Sequence, residues 1–309
     1  MKICLVCSNL WPHTYGGAER RYYEFARELA RRGYDVIYVT YDWGPSEIKV
    51  ESVGPPPKIY DKRGRRRIIP ALEFAFKVSK KVKKLNCDVI DATVPYTEIF
   101  TLPKERTILT LHEYWGRRWR EYYNTIIGMP LEKLETLLIK RPRIVITPTN
   151  FITEKVKNIR KDAITLYFGV RLEEYLPFRR QEKEYDIVAV GRFVPYKGWD
   201  VLLDVVSRVN RKLRIALIGD GPLYEYIYNI LQNQTKHNIY IYRGVSEDEK
   251  KKILARSIYY LNTSKGEGFS ISTLEAILLG AFPLVYEANG YNAAVELVKV
   301  MGYGMIFTK

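Results

Sequence analysis

Apolar and polar positions along the chain alternate between two periods, close to two residues and close to 3.6. Residues 2–7 form a short apolar run that predicts a strand, and Ala18, Tyr22, Phe25 and Leu29 then recur at helical spacing until Gly33 stops the run. Residues 35–40 return to a strand pattern, followed by a predicted helix over 71–85 and strands at 88–92 and 107–111. Residues 176–184 carry Pro, Arg, Gln and Glu without apolar periodicity and predict a linker. Beyond it the same alternation resumes, with strands at 185–190, 213–218, 239–242 and 258–263 and helices at 199–209 and 223–232. Ser246-Glu-Asp-Glu249 reads as a capping box that opens a further helix ending at Arg256. Repeated β-loop-α order predicts an α/β protein with two doubly wound parallel sheets, in domains over 1–175 and 176–309.

Length agrees with that division, because 309 residues exceed what one growing core usually serves. A 47% apolar and 13% aromatic share supplies two packed cores. Fifty basic against 35 acidic residues give a net charge of +15, which favours anionic partners: nucleotide phosphates, an acidic lipid surface or nucleic acid. Lys2 and the short apolar run ending at Trp11-Pro12-His13 lack the proportions of a secretory signal, so a cytoplasmic location is expected. The apolar stretch at 276–285 is broken by Gly280 and Pro283 and falls short of the ~20 residues that cross a bilayer, so membrane contact would be peripheral. Cys4, Cys7 and Cys87 are too few for a disulfide framework and read as packing in a reducing compartment, with Cys4 and Cys7 facing opposite sides of a strand.

One helix carries two readings. Lys77, Lys80, Lys81, Lys83 and Lys84 predict a solvated face opposite a buried stripe of Leu72, Phe76, Val82 and Leu85. The sharper alternative is an interfacial helix on anionic lipid, aided by Arg117-Arg118-Trp119-Arg120 with Tyr122 and Tyr123.

Three segments carry candidate chemistry. In Tyr15-Gly16-Gly17-Ala18-Glu19, glycines at a helix start would let a phosphate or sugar approach the backbone, although the same pair can simply permit a tight turn. In VGRFVPYKGWD, Arg192 and Lys197 flank a Pro-containing loop at a strand end, where a guanidinium and an ammonium suit a diphosphate; ordinary surface pairing competes with that reading. In Gly266-Glu267-Gly268-Phe269-Ser270-Ile271-Ser272-Thr273-Leu274-Glu275, two carboxylates could accept hydrogen bonds from sugar hydroxyls. Ser272-Thr-Leu-Glu275 also matches a capping box, which would make Glu275 structural, whereas Glu267 between two glycines has no such use.

The succession GGAE, a histidine at the end of a first-domain strand (His112), VGRFVPYKG, IGDGP and EGFSISTLEA resembles the family-4 retaining glycosyltransferases of the glycosyl transferases group 1 type, over nearly the whole chain. The resemblance implies the GT-B architecture, two Rossmann-like domains facing across a cleft. It further implies that Arg192 and Lys197 bind the donor diphosphate, Glu267 the hexose hydroxyls and Glu275 the ribose. Gly268, Phe269, Ser270 and Ile271 would line the donor, with Phe269, Ser270 and Ile271 offering backbone amides. Gly16 and Gly17 would lie against phosphate or acceptor, and His112 would reach toward the transferred sugar. A hexosyl group would pass from a nucleotide-diphospho-sugar to a sugar or lipid-linked acceptor hydroxyl with retention. The leaving phosphate would take the acceptor proton, with no cofactor and no metal; no Asp-x-Asp pair occurs to recruit a divalent ion.

Two departures stand out. Phe168-Gly169-Val170-Arg171 occupies the place of the family's Asn-Gly-Val-Asp, and Glu113 follows His112 where Asp is frequent. The family also continues into helices that return to the first domain, whereas this sequence ends at Lys309, leaving a shortened chain or unusual domain coupling open. Rival readings are a catalytically degenerate nucleotide-sugar-binding protein, a sugar-nucleotide epimerase on the same fold, or a nucleic-acid binder, the last without any recognisable motif.

Overall fold

The computed structural model describes residues 1–14, 16–61, 65–93, 97–234 and 236–308. Two compact units result, the first comprising Met1–Asp61 and Arg66–Phe168 and the second starting at Gly169. The unit changes at Gly169, ahead of the expected break after Tyr175. Tyr175 is fully buried in the second unit's core beside Tyr185, Val188 and Tyr260, which ties the segment before it to that unit.

In the first unit, β1 (Lys2–Val6), β2 (Asp35–Thr40), β3 (Val50–Ser52), β4 (Val89–Ala92), β5 (Thr107–Thr110), β6 (Ile144–Thr147) and β7 (Ile164–Thr165) form a seven-stranded sheet in the order β3-β2-β1-β4-β5-β6-β7. Its described pairings are parallel. Burial on both faces explains why β1 reads as continuously apolar. The connecting helices are α1 (Gly17–Arg31), α2 (Ile68–Leu85), α3 (Arg118–Tyr122), α4 (Thr125–Lys140) and α5 (Asn150–Lys157). On α1 the buried side carries Tyr22, Tyr23 and Ala26, which pack on Leu5 and Tyr38, while Phe25 faces outward. Periodicity did not predict α4 because Gly128 and Pro130 sit inside it.

Two expectations fail here. The α2 core stripe is Phe74, Ala75, Val78 and Val82, and Leu72 and Phe76 are instead 53% and 60% exposed. With Ile69 they share the solvent face with Lys80 and Lys83, because the helix rotates its more regular i, i+4, i+8 apolar series toward the sheet. The cysteines also do more than pack: Cys4 of β1 is disulfide-bonded to Cys87 at the entry to β4, since the adjacent strands bring their Cα atoms to 5.9 Å. Cys7 is a buried free thiol, pushed up to about 12 by desolvation and by the nearby Glu19 charge.

In the second unit, β8 (Tyr185–Val190), β9 (Arg214–Ile218), β10 (Asn238–Tyr242), β11 (Ser257–Asn262), β12 (Phe282–Tyr286) and β13 (Met305–Phe307) form a six-stranded sheet in the order β10-β9-β8-β11-β12-β13. The order reverses between β8 and β11, and the ends of those two strands are where an α/β sheet presents ligands. Helices α6 (Trp199–Ser207), α7 (Tyr224–Gln234), α8 (Glu247–Ala255), α9 (Ile271–Leu278) and α10 (Ala294–Met301) connect the strands. The Ser246 cap forms as predicted, its Oγ accepting from the Glu249 amide at 3.1 Å. Phe193 and Trp199 meet edge to face at 4.8 Å in the core beneath the β8 loop. Truncating such a buried ring costs about 3–5 kcal/mol, so the loop stands on a stiff base.

Candidate active site

After β8 the chain makes a loop, a 3-10 turn at Pro195–Lys197 and then α6. After β11, residues 263–270 lead into α9. The two loops touch. Lys265 donates its amide to the Tyr196 carbonyl at 2.8 Å, and Gly198, at φ +69°, passes so close that a Cβ would lie 1.9 Å from the Thr263 carbonyl oxygen. Only glycine fits both the backbone angle and the gap.

This contact brings the charged candidates together. Lys197 Nζ donates to Glu267 Oε1 at 2.5 Å, with side-chain exposures of 17% and 11%. Arg192 Nη2 donates to the Tyr196 hydroxyl at 2.5 Å, and both cations lie against the Tyr196 ring, Arg192 at 5.9 Å and Lys197 at 5.4 Å. Trp199 Nε1 donates to the Arg192 carbonyl at 3.0 Å, which holds that loop in place from below. Arg192, Lys197 and Glu267 thus form one cluster.

The floor under Glu267 is a polar network that the sequence did not announce. Asn262 Nδ2 donates to Ser270 Oγ and Thr273 Oγ1, both at 3.0 Å, and Asn292 Nδ2 donates to the Ser264 carbonyl at 3.2 Å. Glu267 itself is pinned through its backbone, which donates to Tyr291 O and accepts from Ala293 N. Ser270 sits at φ +71°, a left-handed angle that costs a non-glycine residue on the order of 1 kcal/mol or more. It starts α9, whose first N–H groups at Ile271 and Ser272 have no acceptor within the helix. Phe269 is buried in this turn beside Gly268.

Glu275 behaves differently from Glu267. The capping-box reading is excluded, because α9 begins at Ile271 and Ser272 Oγ meets the Tyr260 hydroxyl at 2.8 Å instead. Its carboxylate is almost fully buried, accepting from Tyr175 Oη at 2.9 Å and paired with Lys250 at 3.0 Å. Tyr175 is the last residue before the segment read as linker and Lys250 lies in the capped helix, so neither carried a signal of its own.

In the first unit, Gly16 caps α1 and Gly17 begins it, while Tyr15 lies outside the described residues. Gly16 leaves room for Glu19, whose carboxylate folds back onto the turn and accepts from Asn9 Nδ2 at 2.6 Å. His112 follows β5. Its ring is buried between Tyr22 and Phe168, at centroid distances of 5.8 and 5.0 Å. Desolvation and then the Arg21 charge hold its pKa well below the ordinary range, so the imidazole is neutral at pH 7. The loop beyond His112 is pinned by buried Glu135 of α4, which accepts from the amides of Trp115 at 3.0 Å and Gly116 at 2.7 Å. Burial pushes the Glu135 carboxyl up to about 7 against those bonds.

Comparison with known proteins matches this architecture. Residues 15–174 fit Glycosyltransferase Family 4, and residues 173–303 fit Glycosyl transferases group 1. O-antigen chain mannosyltransferase C of Escherichia coli is 24% identical over 298 residues, covering 89% of this chain and 76% of that protein. Among solved structures, sucrose-phosphate synthase from Thermosynechococcus elongatus superposes with a TM-score of 0.80 at 14% identity, covering 99% of this chain and 86% of that one. The Anabaena protein Alr3699/HepE in complex with UDP-glucose gives 0.73 at 15% identity, covering 100% and 85%. With both units matched, and each built on a parallel sheet, this chain belongs to the group 1 glycosyltransferases of the GT-B fold.

Proposed function

We propose that the protein transfers a hexosyl group from a nucleotide-diphospho-sugar to an acceptor hydroxyl with retention, without a metal ion or cofactor. The observation that carries the reading is the convergence of Arg192, Lys197 and Glu267 at the ends of β8 and β11, the reversal point of the sheet. Arg192 and Lys197 are the groups for the diphosphate, and the charge that grows on it as the glycosidic bond breaks falls on two fixed cations. Glu267 accepts from sugar hydroxyls once Lys197 turns to phosphate. The backbone amides of Phe269, Ser270 and Ile271 at the start of α9, beside Gly268, are further donors for the same ligand. Donor binding of this kind is also what the UDP-glucose complex of Alr3699/HepE offers by likeness.

The family role of Glu275 at the ribose asks that its Lys250 and Tyr175 partners yield or share it. Gly16 and Gly17 lie against phosphate or acceptor from the first unit, and His112 is a neutral hydrogen-bonding group toward the transferred sugar. The acceptor is a sugar or a lipid-linked sugar, as the name of the E. coli mannosyltransferase suggests by analogy. Retention follows from a front-face transfer in which the leaving phosphate takes the acceptor proton.

A cytoplasmic protein in peripheral contact with an anionic membrane completes the reading. No described helix is long and apolar enough to cross a bilayer. Exposed Ile69, Leu72 and Phe76 share the outer face of α2 with Lys80, whose ammonium lies 4.3 Å from the Phe76 centroid. Arg66, just ahead of α2, donates its amide to the Tyr122 hydroxyl at 2.9 Å and accepts from Tyr123, which joins the aromatic group to the same surface. Flotation with phosphatidylglycerol vesicles is expected to carry the protein, and Leu72→Ser with Phe76→Ser to release it; equal flotation of both would remove the membrane contact.

Calorimetry with UDP-, GDP- and ADP-sugars, followed by product analysis with sugar and lipid-linked acceptors, tests the main reading. One donor is expected to bind and to yield product of unchanged anomeric configuration in the presence of a chelator. No binding by any donor, or inverted product, would overturn it.

A further inference from the structure

The first unit holds a guanidinium whose hydrogen-bonding capacity its described residues do not use up. Arg21 lies in the second turn of α1, half-buried, and its Nη1 is enclosed without a hydrogen bond to any described residue. Its guanidinium is stacked at 4.1 Å from the Phe168 centroid and also faces the rings of Tyr22 at 5.7 Å and Phe25 at 5.8 Å. Ring contacts hold a guanidinium plane but leave its N–H donors unused.

His112 shares the same platform. Its ring packs on Phe168 from 5.0 Å, it is 7% exposed, and its Nε2 is likewise buried without a partner among the described residues. The acid felt by Arg21 in this pocket, Asp91, is already engaged through Oδ1 with the Tyr22 hydroxyl at 2.6 Å and Thr110 Oγ1 at 2.8 Å. Arg21 and His112 both pack on the rings of Tyr22 and Phe168, and enclosing a guanidinium nitrogen and an imidazole nitrogen without hydrogen bonds in one pocket is costly in a folded protein. Both costs vanish when one group with several oxygens meets both.

We propose that Arg21 and His112 form an oxyanion subsite of the first unit that takes a phosphate group of one of the transfer substrates. This rests on the transfer reading above only for the origin of the phosphate, which is either the donor diphosphate or a phosphate of the acceptor. The guanidinium supplies two parallel donors and the fixed charge, and neutral His112 supplies one further hydrogen bond. Phe168 is the stacking surface that aims the guanidinium. This accounts for an aromatic residue where the resembling family places asparagine.

Histidine NMR on the full chain tests the subsite, since the sequence has only His13, His112 and His237. The other two rings are already bonded, His13 to Pro45 O and His237 to Leu213 N and Val206 O. Titration with inorganic phosphate is expected to move the His112 ring-nitrogen signals saturably while those of His13 and His237 stay. Arg21→Gln weakens that response at least tenfold, and Arg21→Lys, which keeps the charge and guards against a folding defect, weakens it less. Uridine, guanosine and adenosine diphosphates identify the donor as the source if one of them moves His112 more tightly than phosphate does. Methyl phosphate identifies the acceptor if it still moves His112 when a nucleoside diphosphate saturates the protein. Repeating the phosphate titration in Arg192→Ala separates this subsite from the second-unit reading, because the His112 response is expected to persist there. Unmoved His112 signals with every probe, or an undiminished response in Arg21→Gln, would overturn the proposal.

Discussion

The two sheets end in polar clusters of opposite design. At the ends of β8 and β11, opposite charges from two loops close on each other, Lys197 on Glu267, over a network of Asn262, Ser270, Thr273 and Asn292. At the ends of β1 and β5, Arg21 and His112 pack against rings, and Arg21 Nη1 and His112 Nε2 are buried without a hydrogen bond among the described residues. The first arrangement stores its charges in a mutual pair that a ligand can exchange. The second keeps donors unpaired and depends on an incoming group to satisfy them. A charge pair keeps the cluster stable when empty, whereas unpaired buried donors raise the free energy of the empty state and reward binding.

The sharpest way to break this comparison is at the paired cluster. Arg192→Ala, Lys197→Ala and Glu267→Ala are each expected to lower kcat/KM by roughly a hundred- to a thousandfold with unchanged circular dichroism, the range for removing a preorganised electrostatic contact. Wild-type rates in all three would remove these residues from the reaction. Lys250→Ala probes the other pair, because it removes the cation paired with the buried Glu275 carboxylate. A loss of about 3 kcal/mol is expected in urea unfolding, with Lys250→Met no better, since the uncompensated charge rather than lost packing sets the cost.

A smaller effect sharpens the contrast on the first unit. The Glu135 carboxyl is raised to about 7, above its unfolded value near 4.5, so its protonated form is favoured by the fold. Its contribution is fully present below about pH 4.5 and is lost as pH rises through about 7, a change of roughly 3 kcal/mol. Wild type is therefore expected to lose more stability than Glu135→Gln between pH 5 and pH 8 in parallel urea titrations. Identical slopes would mean that the two amide bonds from Trp115 and Gly116 fully offset burial.

Periodicity revealed most of the second unit because its strands are largely apolar runs, as at Tyr185–Val190 and Arg214–Ile218, each followed by a glycine. It failed where tertiary contact overrules local pattern. On α2, Leu72 and Phe76 look like core residues beside a lysine-rich face, yet the sheet takes Phe74, Val78 and Val82 instead. Cys4 and Cys87 are far apart along the chain and meet only because β1 and β4 are neighbours in the sheet. In the cluster, Arg192, Lys197 and Glu267 were legible because charged residues beside glycines at strand ends are unusual. Tyr175, Lys250 and Asn262 were not, since a tyrosine at the edge of a linker, a lysine in a charged helix and an asparagine ending a strand are ordinary until the fold packs them under the loop. Arg21 was hidden in the same way, one basic residue among several along α1.

The central claim is that the loops after β8 and β11 hold the donor diphosphate. A crystal structure of the protein with whichever of uridine, guanosine or adenosine diphosphate binds most tightly tests it directly. Phosphate oxygens within hydrogen-bonding distance of Arg192 and Lys197, with Lys197 drawn away from Glu267, are the predicted result. Phosphates bound elsewhere, with the 2.5 Å Lys197–Glu267 pair intact, would contradict the account.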